Sequence, residues 1–233
     1  EGDEFRPITN SAVICEVLAS SRWPGLRADS RLGFWRRIFN EAQQTYDEAH
    51  AGRCPPEREQ EVFERLSRMV LSRDEGMLRL VHRYLKLEDI LEIRDRMVGI
   101  GLIGGKALGM LLARAILRKD NPRLYALLEI HDSFYIGADV FYTFLIRNGI
   151  WRIRQRHRNP ETFLEGVEEA RAGILEGQFP DYTMDQFQAM LDYFGESPYI
   201  VRSSSLLEDA YGNAFAGKYE SVFCVNQGSR ETR

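Results

Sequence analysis

Four glycines crowd residues 99–105, and Lys106 follows them directly, ahead of an apolar, helix-like run over 107–117. Glycine lets a backbone come close to a bulky anion. The N-terminus of the following helix adds free N–H groups and the positive end of the helix dipole. A lysine in the first turn of that helix is poorly placed against the dipole unless an anion is also present. Gly104, Gly105 and Lys106 are therefore candidate phosphate ligands; the competing reading is a tight helix entry with a solvated lysine. Neither familiar phosphate motif is complete. Gly99, Gly101 and Gly104 fit G-x-G-x-x-G, but residues 91–98 are too charged for the buried strand that motif needs. A P-loop needs Ser or Thr after its lysine, and Ala107 stands there.

The second constellation lies near the C-terminal end. Tyr199, Ile200 and Val201 read as a buried strand that ends in Arg202 and the hydroxyls of Ser203, Ser204 and Ser205. Ligands in α/β layers commonly sit beyond strand C-termini, and a guanidinium offers paired donors suited to phosphate. Arg202 and Ser203 are candidate ligands of the same anion. Glu208 and Asp209 leave open a second reading, an internal ion pair with Arg202 and serines that cap a turn. Lys218 could also reach a phosphate, or serve as a solvated residue that blunts a strand edge. Residues 219–225 alternate like a half-buried strand.

These residues must be held by the elements around them. Leu32, Trp35, Ile38, Phe39, Ala42 and Tyr46 recur at helical spacing, and the turn Gly52-Arg53-Cys54-Pro55-Pro56 ends that stretch. Two more amphipathic stretches follow, one on Val62, Phe63, Leu66, Met69 and Val70, the other on Met77, Leu80, Val81, Tyr84 and Leu85. Past the glycine run, residues 133–136 read as a strand, Gly137 as a turn and 138–146 as a helix, with further helices around 163–175 and 184–194. The fold class is α+β, with a helical N-terminal region over residues 1–95 and a nucleotide-binding portion over 96–233.

Composition narrows the function. A net charge of −4 gives no global field for nucleic acid or an anionic membrane. No apolar run approaches the ~20 residues of a membrane span. The chain opens on Glu1-Gly2-Asp3-Glu4, acidic where a secretory leader would be basic and then apolar. Cys15, Cys54 and Cys224 are scattered and odd in number, which favours a reducing cytoplasm over a disulfide framework. His50, His82, His131 and His157 lack a small, hydroxyl-rich loop and read as structural or surface residues. No residue is assigned as a metal ligand.

Three segments in order carry a resemblance. Gly104-Gly105-Lys106-Ala107-Leu108-Gly109-Met110-Leu111 comes first, and Ser133-Phe134-Tyr135-Ile136-Gly137-Ala138-Asp139-Val140-Phe141 second. Val201-Arg202-Ser203-Ser204-Ser205 with Glu208-Asp209, followed by Phe215-Ala216-Gly217-Lys218-Tyr219-Glu220-Ser221, comes third. Together they resemble the nucleotide-binding domain of the phosphoenolpyruvate synthase and pyruvate phosphate dikinase family, a relative of the ATP-grasp enzymes, over about residues 99–228. The resemblance implies part of an ATP-grasp-like domain that binds ATP. Lys106 matches the family lysine that contacts the ATP phosphates, and Arg202 the arginine that holds and activates the transferring phosphate, so both are implied as catalytic. Such roles suit phosphoryl transfer, where positioning and charge neutralisation supply most of the catalysis. In the family, ATP phosphorylates a histidine on a swivelling domain that carries the group towards pyruvate. The ligands of Mg²⁺, that histidine and the site for pyruvate or phosphoenolpyruvate are expected beyond Arg233, so these residues alone are expected to be inactive. Lys218 departs from the glutamine of many relatives. Phosphotransfer to a glucan or to a rifamycin-type drug, and a non-catalytic nucleotide-sensing scaffold, remain alternatives.

Overall fold

The computed structural model describes residues 28–129, 132–205, 208–214, 217 and 219–229, with side chains described from residue 33 onward except at 213 and 214. Cys15, His131, Phe215, Ala216 and Lys218, singled out above, lie outside the described residues. In chain order the helices and strands are α1 (Ala28–His50), α2 (Pro56–Leu66), α3 (Glu75–Tyr84), α4 (Leu87–Asp95), β1 (Met97–Val98), α5 (Gly105–Asp120) and α6 (Pro122–Tyr125). They continue with β2 (Tyr135–Ile136), α7 (Ala138–Arg147), α8 (Ile150–Arg156), α9 (Val167–Glu176), α10 (Asp181–Phe194), β3 (Tyr199–Arg202), β4 (Asp209–Ala210), β5 (Asn213–Ala214) and β6 (Ser221–Cys224). The class is α+β, as the sequence implies. The described residues divide into two compact units, those of 34–140 with those of 182–229, and those of 141–181 with those of 28–33.

In the larger unit the amphipathic stripes become one core. Ile38, Phe39 and Ala42 of α1 are buried together with Val62, Phe63 and Leu66 of α2. Pro56 opens α2 at a position where its missing N–H costs nothing, and the Asp74 carboxylate caps α3 by accepting the Met77 N–H at 2.8 Å. Between these helices, Ser67–Leu71 forms a π-helical turn, and the buried Ser67 hydroxyl donates to the Phe63 carbonyl at 2.7 Å. Leu108, Leu112 and Ala115 of α5 lie on one face and join the same core, so the helix that follows the glycine run is anchored on the N-terminal helices. Ile90, Leu91 and Ile93 before residue 95 and Ile103 after it are buried in the same core.

Only a short strand precedes the glycine run. Residues 91–95 are helical, and β1 pairs in parallel with β2, Met97 opposite Tyr135 and Val98 opposite Ile136. β3 and β6 form an antiparallel ribbon, Arg202 opposite Ser221. The expected burial of this pair is not observed: Ile200 and Val201 are 43% and 44% exposed, and Phe223 is 81% exposed. Apolar residues in a strand record propensity, whereas burial needs a covering layer. Among the described residues no third strand extends this ribbon.

The smaller unit has its own apolar centre, in which Phe144, Leu145 and Ile150 are buried and Trp151, Ala170 and Phe179 pack against them. Asn148 ties its ends together: the side-chain amide donates to the Phe144 carbonyl at 2.8 Å, and its oxygen accepts the Gln178 N–H at 3.0 Å.

Candidate nucleotide-binding site

The loop between β1 and α5 is fixed mainly through its own amides. Gly99 N–H donates to the Gln186 side-chain oxygen at 2.7 Å, Ile100 N–H to the Asp139 carboxylate at 2.6 Å, and Ile103 N–H to the Val70 carbonyl at 3.0 Å. The last of these bonds ties the loop to the π-helical turn. The loop then delivers Gly104 as the N-cap of α5, at φ 84° and ψ 171°, a conformation open essentially only to glycine.

Ser204 meets this helix start from the far end of the chain. Its carbonyl accepts the Gly105 N–H at 3.2 Å and its hydroxyl accepts the Ala107 N–H at 3.0 Å. The first-turn amides that the sequence offers to an anion are thus partly satisfied by protein. The approach is close. A Cβ on Gly104 would collide with the Ser204 carbonyl, and one on Gly105 with the backbone of Asp209. The serines have separate roles, since the Ser203 hydroxyl accepts the Ser205 N–H at 3.3 Å and shapes the turn. Ser204→Ala removes one cap acceptor and should lower stability by about 1 kcal/mol, read as a lower urea midpoint than wild type. An unchanged midpoint would mean that the hydroxyl is not holding the helix.

Lys106 points at two acids. Its Nζ lies 3.2 Å from the Asp209 carboxylate and 3.6 Å from Glu208 Oε1. The Lys106 side chain is 26% exposed and that of Glu208 only 9%, so this ion pair is largely withdrawn from water. Glu208 Oε2 and Asp209 Oδ2 are buried and accept no hydrogen bond, which leaves the cluster short of donors. The partner of Glu208 and Asp209 is therefore Lys106, not Arg202. Arg202 ends β3, is exposed, and has no ion pair among the described residues.

The structure thus brings Gly104, Gly105 and Lys106 together with Ser204, Glu208 and Asp209, and Arg202, at the end of β3, has no ion pair among the described residues. Ser204 as a helix cap is absent from the sequence reading, and so is the pairing of the two acids with Lys106. No local pattern signals a contact between groups about a hundred residues apart. Of the described histidines, His82 packs on Phe63 with ring centres 5.6 Å apart, His50 lies 5.3 Å from Tyr46, and His157 Nε2 is 2.9 Å from the Glu165 carbonyl. All three have structural neighbours.

A glycine-led helix start with a lysine in its first turn, met by the serine segment that follows a strand end, is the arrangement at the candidate site in this α+β fold. The model of the pyruvate phosphate dikinase AMP/ATP-binding domain matches residues 100–233, more than half of the chain, and the chain belongs to that family. The family is one of kinases, and its ATP/AMP-binding domain fits an ATP-grasp-like nucleotide-binding fold. No curated protein matches the chain, and no solved structure does. Among the described residues no helix is long and apolar enough to cross a membrane.

Proposed function

We propose that the chain supplies the ATP-binding portion of a dikinase-type phosphotransferase, in which a phosphoryl group passes from ATP to a carrier histidine on another domain and then to pyruvate. The observation that carries this reading is the meeting of Lys106 with the 204–209 segment at the start of α5. Lys106 is the cation for the nucleotide phosphates. On binding, its Nζ exchanges the carboxylates of Glu208 and Asp209 for phosphate oxygens. Arg202, exposed and without an ion pair among the described residues, supplies a planar fork for the transferring group. Ser204 already takes two amides of the helix start, so side-chain cations rather than a backbone cradle hold the phosphates. Gly104 and Gly105 keep the two segments close, and Ser203 and Lys218 stand as flanking ligands.

Mg²⁺ is proposed as the companion ion of ATP. Among the described residues no group of three or more His, Cys, Asp or Glu side chains could hold a metal ion, so no ligand is assigned and no step is drawn through it. Residues 1–95 act as helical support and 96–233 as the nucleotide-binding portion. Among the described residues Cys54 and Cys224 are free thiols, which supports a reducing cytoplasm as the compartment.

Calorimetric titration with ATP, with and without Mg²⁺, tests the reading. The wild-type chain should bind saturably, and Arg202→Ala should bind about tenfold more weakly at an unchanged unfolding midpoint. Equal affinity in the two would remove Arg202 from the site. A folded chain that binds no nucleotide would favour a scaffold, a reading to which the paired state of Lys106 lends some weight.

A further inference from the structure

We propose that the smaller unit carries a second anion site, a cleft that takes a compact phosphate-bearing molecule. The cleft has a volume of about 340 Å³ and is lined by Ile146, Arg147, Trp151, Arg152, Arg156 and Glu169, among others. That is the lower end of the range for small-molecule sites, about 300–1,000 Å³.

Charge is concentrated here in a way the whole chain does not foretell. Residues 147–158 hold five arginines and no acid, in a protein of net charge −4. Their distribution on α8 is ordered. Ile150 and Ile153 are each 4% exposed and face the core of the unit. Arg152 and Arg156, four residues apart, share one face and meet Arg147 at the cleft. Arg154 lies elsewhere on the helix and is already engaged, with its guanidinium 5.7 Å from the Phe141 ring centre and 5.8 Å from that of Trp151.

Arg147, Arg152 and Arg156 are exposed, and among the described residues none of their guanidiniums has an ion pair or a hydrogen-bond acceptor. Elsewhere Arg58, Arg65, Arg68, Arg94, Arg96 and Arg118 each have a carboxylate partner. Glu169 lines the cleft, yet its carboxylate forms no ion pair with any of the three. Three like charges around one concavity repel one another, and an anion that accepts from several of them removes that cost. Phosphate oxygens match the guanidinium fork in geometry as well as charge. Only part of the basic surface converges on the cleft, which fits a compact anion and not a nucleic acid strand running along the helix. Inorganic polyphosphate and the phosphoryl end of a small metabolite or nucleotide share this chemistry.

The inference uses no residue of the Lys106 site and does not rest on the nucleotide reading. Its test is calorimetric titration of the full chain with inorganic tripolyphosphate and, separately, with ATP, in wild type and in Arg202→Ala. Arg152→Ala and Arg156→Ala should each weaken tripolyphosphate binding about tenfold, while Arg154→Ala, an equal change in charge, should stay within about twofold. Arg152→Lys and Arg156→Lys, which keep the charge and lose the fork, should fall between. All these side chains are exposed, so circular dichroism should match wild type throughout. Tighter binding of ATP than of tripolyphosphate that still depends on Arg152 would identify a nucleotide as the source of the phosphates. The reverse order would identify inorganic polyphosphate. The proposal is overturned if tripolyphosphate does not bind, if Arg154→Ala loses as much as Arg152→Ala, or if an oligonucleotide binds more tightly than either probe and depends as strongly on Arg154 as on Arg152.

Discussion

Alanine at Gly104 is expected to cost roughly 3 kcal/mol of folding stability. Two independent penalties meet there. The backbone sits at φ 84° and ψ 171°, a region that side chains with a Cβ essentially avoid. The added carbon would also be driven into the carbonyl of Ser204, a backbone atom that cannot rotate away. Relief would require the Ser204 segment to withdraw, which breaks its bonds to Gly105 N–H and Ala107 N–H and frees the start of α5. The control lies one turn along the same helix. A Cβ on Gly109 would meet nothing within 4 Å, and Gly109 is exposed, so Gly109→Ala should stabilise by about 0.5–1 kcal/mol. Urea denaturation of the two variants should move in opposite directions. A Gly104→Ala chain as stable as wild type would disprove the close approach.

Lys106→Ala should show two losses that can be separated. Triphosphate affinity should fall tenfold or more, because a charge-assisted contact to the phosphates is gone. Stability should fall as well, by roughly 1–3 kcal/mol, because Glu208 keeps its buried carboxylate and loses its cation. That figure lies below the range for fully buried pairs, since a quarter of the lysine side chain is exposed. The triple variant Lys106→Ala, Glu208→Gln, Asp209→Asn removes the unpaired charges. It should recover most of the stability and none of the affinity. Recovery of affinity without the lysine would show that the acids merely repel the nucleotide and that Lys106 never touches it. Loss of stability with undiminished affinity would make Lys106 a structural residue alone.

Much of the local structure was legible because it depends on near neighbours. The stripe through Ile38, Phe39 and Ala42 has helical spacing, and a face that repeats every turn must be buried along its length, as it is. Gly52 through Pro55 end one helix, and Pro56 starts the next, for steric reasons that hold in any context. The turn at Gly137 and the helix after it follow in the same way. The strand at 199–202 was also legible, but its exposure was not, because alternation and branching say nothing about which layer covers a strand.

The sequence by itself determined where most of the helices run, that a glycine loop delivers Lys106 to a helix start, and that an arginine–serine segment follows at the order and spacing of a nucleotide-binding domain in the pyruvate phosphate dikinase family. Each of these depends on residues close together in the chain, where spacing translates directly into geometry. Only the tertiary structure decided what Lys106 and Ser204 touch. Glu208 and Asp209 stand six and seven residues from Arg202, yet they pair with a lysine about a hundred residues away. The path of the backbone past Gly104 and Gly105 turns their carboxylates towards α5, and an ion pair forms with the charge it meets in space, whatever the separation along the chain.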